Sequence, residues 1–485
     1  MNLENIIPYL AIAGYLLITL GVGLISYRKQ KNTPDDYFLA ARNMSPIVLF
    51  FTLMATNFSS FTFLGFSGAG YRIGISYYAM ISFGTALVAI SFYVVGHKVW
   101  LLGKEKGLIT PSELIDDRFN NKTLKILFMA VMVIFTLPYL TLQPIGAGYL
   151  LENLTNGQIP YFVGASFLTL VIVLYVFMGG MRSVALTDVL QGVLMLVFTI
   201  VAILIIAKNL GGFTAANQSI YELNPELLSR QGAGNFFTKS KWFSYMLLWG
   251  LSVPMFPQMF MRFYIPKTAN SLKVSAILYP LVTAIMFICP VLIGMWGHIN
   301  FSDLVGRETD RILPMMLTEY TPIWIGSLVM VGALAAFMST LDSQLLAISS
   351  MLTRDVYIAY IRPQASLKEQ TFVGRILIIL LAIIGLIIAF NPPDTIAAIA
   401  TQSFTGLAVL FPTVIAALYG KNISALSCIV SIFVGETILL GFQFNLLPAS
   451  LTFGFLPVVP IVFISSLIIV LGTVFQKQSR KVENI

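Results

Sequence analysis

The chain has 485 residues, of which 57% are hydrophobic and only 10% charged, with 37 phenylalanines among them. That balance excludes a soluble globular protein and leaves the all-α polytopic membrane class. The net charge of +8 is no sign of nucleic acid once the basic residues are located, and two cysteines without CxxC spacing, Cys289 and Cys428, suggest neither a disulfide framework nor a metal site.

Stretches long enough to cross a bilayer, about 20 residues each, fall near 6–27, 45–71, 77–101, 124–150, 159–179, 186–208, 242–263, 272–297, 321–351, 372–391, 397–418, 424–441 and 452–474, thirteen in all. No basic residue precedes the first of them, whereas Arg28, Lys29 and Lys31 follow it. That order is wrong for a cleaved signal peptide and right for a first span with its N-terminus outside. Alternate loops should then be basic, and the cytoplasmic set so defined holds 22 of the 29 Lys and Arg, Arg182 and Arg262 included. The charge asymmetry thus predicts an N-out, C-in chain of thirteen spans.

Residues 1–44 form a first transmembrane helix and a cytoplasmic loop, and 419–485 form two peripheral helices and a short cytoplasmic tail. Between them the external loop at 210–241 separates two groups of five spans, 45–209 and 242–418. An odd number per group inverts the second relative to the first. Five-plus-five inverted repeats are an architecture of secondary transporters, whose ligands bind near the midplane at discontinuous helices. Segments Pro34–Asp36 and 102–123 read as solvated connections.

The opening helix of each group carries the signals of a break. In TLMATNFSSFTFLGFSGAG (52–70), Thr56, Asn57, Ser59, Ser60 and Thr62 stand at mid-span. Such polar density is costly unless it lines a cavity. In WGLSVPMFPQ (249–258), Pro254 and Pro257 each remove a backbone hydrogen bond and free a carbonyl.

Three acids fall within spans: Asp188, Asp342 and Glu436, the last on a helix outside the repeats. In GALAAFMSTLDSQLLAISS (332–350), Ala336, Ser339, Thr340 and Ser343 share one helical face, with Asp342 beside Ser339. Hydroxyls, carbonyls and a carboxylate are what a hard cation takes in place of water. Two facing carboxylates, Asp188 and Asp342, would need a cation or a proton between them. No nucleophile with an adjacent base is readable, so an enzyme is not expected. The chain ends about ten residues beyond its last span, which argues against an attached signalling domain.

ATNFSS (55–60), GGMRSVALTDVLQG (179–192) and AAFMSTLDSQLLAISS (335–350) resemble the matching segments of the sodium:solute symporters. The resemblance implies a LeuT-type core and a principal sodium site made by the carbonyls of Ala55, Phe58 and Ala336 with the hydroxyls of Ser339 and Thr340. Members with a second sodium site use the aspartate matching Asp188 and hydroxyls matching 339, 342 and 343. The aspartate at 342 departs from that pattern, leaving a second sodium, a proton or a salt link with Asp188, Asp342 and Ser343 as alternatives. TLQPIGAGYLLE (141–152), ELNPELLSRQGA (222–233) and FLPVVP (455–460) resemble the pantothenate branch, with the proline branch next. Asn57 replaces an aspartate that the proline carriers need.

The expected activity is therefore sodium-coupled symport of a small pantothenate- or proline-like carboxylate by alternating access. Asn57, Ser59, Ser60, Gln143, Trp249 and Gln402 are the candidate solute donors, with no buried Arg or Lys expected among these helices. No cofactor beyond Na+, no nucleic acid and no obligate protein partner is implied. The location implied is the plasma (inner) membrane, as a multi-pass protein in the lipid bilayer. A proton-coupled symporter using Asp188 and Asp342, or a membrane solute sensor, are the alternatives.

Overall fold

A computed structural model describes residues 3–28 and 33–483. Lys29 and Lys31, counted above among the cytoplasmic charges, lie outside the described residues, as do the last two residues of the tail. Every regular element among the described residues is a helix, and one isolated bridge joins Met44 to Pro266.

In chain order the helices are α1 (Leu3–Arg28), α2 (Pro34–Leu39), α3 (Pro46–Asn57), α4 (Phe66–Ile73), α5 (Ser76–Lys106), α6 (Pro111–Phe119) and α7 (Lys122–Leu154). Then come α8 (Tyr161–Asn209), α9 (Phe213–Leu223), α10 (Lys239–Ser252), α11 (Pro257–Arg262), α12 (Ala269–Trp296) and α13 (Ile312–Tyr320). The last are α14 (Ile323–Met351), α15 (Leu367–Ala389), α16 (Ile396–Ala408), α17 (Phe411–Tyr419), α18 (Ala425–Gln443) and α19 (Val458–Glu483). Among the described residues ten helical stretches are long and apolar enough to cross a membrane, or up to eleven when the bent pair around residue 58 is taken as one span.

The expected thirteen differs from this count at two places. Helix α8 runs as one element of 49 residues. At 1.5 Å per residue that is about 73 Å, more than twice a hydrocarbon core of about 30 Å. It is divided internally at Gly180, which adopts φ 54°, ψ −151°. A side chain there would stand 2.6 Å from the Tyr37 carbonyl oxygen, so only glycine allows both the backbone turn and the contact. The second place is 239–262, where α10 and α11 are each too short to be counted.

Burial orders the helices. In the Ile323–Ile361 stretch 78% of the most apolar window is buried, against 33% in α1, 33% in α15 and 28% in Val458–Phe475. α14 is therefore the centre, packed against α8, α7, α1 and α3. The outer helices turn Leu17, Ile387, Phe433 and Phe463 outward, which lipid solvates and water would not.

Both expected breaks are present. Ser45 caps α3 by accepting from the Val48 amide at 3.4 Å, with Pro46 in the first turn, where its missing N–H costs nothing. The helix stops after Asn57: Phe58 is extended (φ −87°, ψ 116°), and the chain resumes at Phe61 bent by 59°. Asn and Ser side chains favour such a stop because they compete for backbone hydrogen bonds. Beyond it α4 presses directly on α12, since a side chain at Gly294 would fall 1.9 Å from the Ser67 carbonyl oxygen.

In the second half α10 ends in a 3-10 turn at Val253–Met255, Phe256 is extended, and Pro257 opens α11. The extended residue is what a following proline demands. The presumed solvated connections are instead ordered. Asp36 is buried and paired with Arg182 at 2.6 Å, and Thr110 and Glu113 form a capping box at the start of α6. Glu113 also holds Arg354 at 2.6 Å.

Candidate functional site

The break between α3 and α4 faces the middle of α14. Ser339 Oγ lies 2.8 Å from the Ala55 carbonyl oxygen and 2.9 Å from that of Ala336. Thr340 Oγ1 lies 2.9 Å from the Phe58 carbonyl oxygen and 3.1 Å from that of Thr56. The five expected principal-site residues, Ala55, Phe58, Ala336, Ser339 and Thr340, are thus brought together, each with no solvent exposure. The carbonyls of Thr56 and Phe58 are turned to α14 because the helix that would otherwise use them ends there. All of these oxygens are neutral, a set suited to a hard monovalent cation.

Asp188, Asp342 and Ser343, the expected second cluster, stand around a residue that the sequence reading counted among the cytoplasmic charges. Arg262, at the end of α11, has no solvent exposure. Its Nη2 lies 3.0 Å from Asp188 Oδ2 and 2.7 Å from Ser343 Oγ, its Nε 3.0 Å from Thr52 Oγ1, and its Nη1 3.0 Å from the Gln258 carbonyl oxygen. Thr52 in turn donates to Asp188. The expectation that no buried Arg or Lys stands among these helices is therefore corrected. The break at Phe256 carries α11 into the protein, and its last residue arrives beside Asp188. Asp342 accepts from Tyr175 OH at 2.6 Å and from Ser343 Oγ at 2.9 Å. Glu436 stands on α18, outside this cluster.

Of the six candidate solute donors, Asn57 and Trp249 line a small cavity of about 30 Å³. The aromatic residues Phe61, Tyr139, Tyr279 and Phe404 share it. Asn57 donates to Tyr279 OH, and the Trp249 ring meets those of Phe404 at 4.7 Å and Phe61 at 5.5 Å. Ser59, Ser60 and Gln143 are spent on holding the break. Ser59 Oγ bonds Tyr139 OH at 2.9 Å, the Ser60 amide donates to Gln143 Oε1 at 3.0 Å, and Ser60 Oγ donates to the Leu142 carbonyl at 2.7 Å. Gln402 is exposed and does not line the cavity. Two residues further along α16, Phe404 takes the inward face instead. The aromatic lining was missed because single aromatics on apolar helices carry no signal until helices distant in sequence are paired.

Away from the cavity lining, Arg72 at the end of α4 approaches Asp310 at 3.8 Å, and the other Asp310 oxygen accepts from the amide of Ile396, the first residue of α16, at 2.8 Å. Burial pushes this carboxyl up to about 7, against the pull of the Ile396 amide and Arg72. A raised carboxyl favours the docked state, with the 306–311 turn seated against α4 and the start of α16, below its free value of 3.8, and the advantage is lost as pH climbs through about 7. Between pH 6 and 8 the docked population should fall roughly tenfold relative to the undocked one. Tryptic cleavage at Arg307 should rise accordingly, and Asp310→Asn, measured at the same pH values, should remove the difference.

A model of the sodium:solute symporter family matches residues 37–435. The sodium/pantothenate symporter of Escherichia coli (strain K12) is 28% identical over 98% of this chain and 97% of its own length. A sodium/proline symporter of Staphylococcus aureus (strain bovine RF122 / ET3-1) is 29% identical over 86% of this chain and 82% of its own. Among solved structures, a Na+-coupled sialic acid symporter in a substrate-bound, outward-open state superposes with a TM-score of 0.79 at 20% identity, covering 96% of this chain and 97% of that one. At that identity the likeness speaks for the fold.

Proposed function

Because the chain belongs to the sodium:solute symporter family, we infer that it carries a small organic solute into the cell with sodium, the ion bound between α3 and α14 and the solute in the aromatic cavity beside Asn57. The observation that carries this reading is the meeting of two α14 hydroxyls with the carbonyls released at the α3 break, 2.8–3.1 Å apart. Sodium there ties together two elements that a change of access must separate. Its binding therefore favours one conformation and, with it, the solute site that this conformation completes. The coupling is reciprocal, so solute tightens sodium by the same factor. Each charge moved through 100 mV supplies about 2.3 kcal/mol.

Thirteen spans with five-plus-five inverted halves, N-out and C-in, is the arrangement we adopt. The number is reached by dividing α8 at Gly180 and counting the two broken helices as spans, and the orientation rests on the asymmetry of the basic residues. The plasma membrane is the location, and sodium the only inorganic requirement. The solute is a pantothenate- or proline-like molecule. Its carboxylate would meet neutral donors, because among the described residues Asn57, Thr62, Tyr139, Trp249 and Tyr279 are the polar groups of the cavity and no charged side chain lines it. A proton relay through Asp188 and Asp342 has less support, since Asp188 is paired with Arg262 and not with the second acid.

Uptake of radiolabelled pantothenate and proline into proteoliposomes tests the reading. An inward sodium gradient should accelerate uptake of one of them at fixed pH. Uptake that ignores sodium and follows a pH gradient would overturn it.

A further inference from the structure

Three charged side chains with no exposure meet where α8, α11 and α14 converge: Asp188, Arg262 and Asp342. Arg262 is committed to Asp188, and each of its three nitrogens is held at 2.7–3.0 Å by Asp188, Ser343, Thr52 or the Gln258 carbonyl. Its Nη2 bridges Asp188 and the Ser343 hydroxyl of α14, where a cation bound by those two groups would sit. Asp342 receives no such partner. Among the described residues its two oxygens accept from the neutral hydroxyls of Tyr175 and Ser343. Two carboxylates and one guanidinium leave one negative charge uncompensated inside the membrane, which is costly unless a cation lies close by.

The principal sodium site has the complementary shortfall: its oxygens are carbonyls and hydroxyls, without a carboxylate. Ser343, one helical turn from Ser339 on the same face of α14, stands between the two. Its Oγ lies 2.7 Å from the Ser339 carbonyl oxygen and 2.9 Å from Asp342 Oδ1, and its single proton can be given to either. We propose that Arg262 is a tethered second cation that fills the Asp188 site, leaving Asp342 as the counter-charge of one sodium held at the neutral oxygens of 55–58 and 336–340. The buried charges then sum to zero with one sodium bound. The transporter therefore takes one sodium per cycle, and Asp342 sets sodium affinity without touching the ion. This rests on the sodium-symport reading above.

Equilibrium binding of 22Na+ to the purified full-length protein, without any solute, tests it. One saturable sodium per chain is expected, and two would overturn the proposal while leaving sodium symport intact. No saturable sodium at all would remove both. Asp342→Asn should still bind one sodium, with affinity at least about tenfold weaker. Asp342→Glu should recover most of the loss, which a purely structural defect would not allow. Unchanged sodium affinity in Asp342→Asn would also overturn the proposal. As a control for folding, both variants should elute as the parent does on size exclusion.

Discussion

Arg262→Met is expected to destabilise the protein by about 3–5 kcal/mol, because it strands the fully buried Asp188 carboxylate without its partner. Arg262 and Asp188 are both fully buried and lie 3.0 Å apart. Removing one partner leaves the whole desolvation penalty of the other in place. Removing both is different. Replacing a buried ion pair with apolar groups of similar volume is often neutral or stabilising, so Arg262→Met combined with Asp188→Leu should recover most of the lost stability. Thermal unfolding of the detergent-solubilised variants, followed by tryptophan fluorescence, measures both. A double variant no more stable than Arg262→Met would show that the pair is not the source of the penalty. The same comparison separates stability from coupling, since the rescued double variant loses the tethered charge.

Thr340→Ala or Ser339→Ala is expected to raise the sodium concentration for half-maximal uptake by roughly tenfold or more, about 1.4 kcal/mol or more of lost binding. Each removes one oxygen of the candidate site together with its tie to α3, at Phe58 for Thr340 and at Ala55 for Ser339. The loss falls on sodium first and on solute only through coupling, so at saturating sodium the solute half-saturation should return toward that of the parent. Expression and maximal rate should change far less. Sodium dependence that stays unchanged in both variants would remove the site from this part of α14.

What the sequence disclosed followed from how local each feature is. The face of Ala336, Ser339 and Thr340 was legible because helical spacing alone aligns it, and the break at 57–60 because polar residues at mid-span have few other uses. Ala55 and Phe58 came from motif resemblance, since nothing in a single helix says which carbonyls will be free. Arg262 was misread for a definite reason. Counting charges by loop assigned it to the cytoplasmic surface, and only the extended Phe256 and the short α11 bring it inside.

Gln402 failed in the opposite sense: a polar residue on an apolar helix was read as inward, yet α16 turns it outward and Phe404 inward. The span count depended on Gly180, because a glycine pair in an apolar run gives no sign of whether the helix bends or ends. Cavity residues such as Tyr139, Tyr279 and Phe404 lie on helices far apart in the chain, and their convergence is a property of the fold.

Hydrogen exchange of the purified protein in sodium against equal potassium, read at segments 52–60 and 336–343, tests the central claim most directly. If sodium ties α3 to α14, both segments should exchange more slowly in sodium and together, over one range of concentration, and Thr340→Ala should abolish the effect in both. Exchange that is the same in sodium and potassium, or protection confined to one of the two segments, would contradict it.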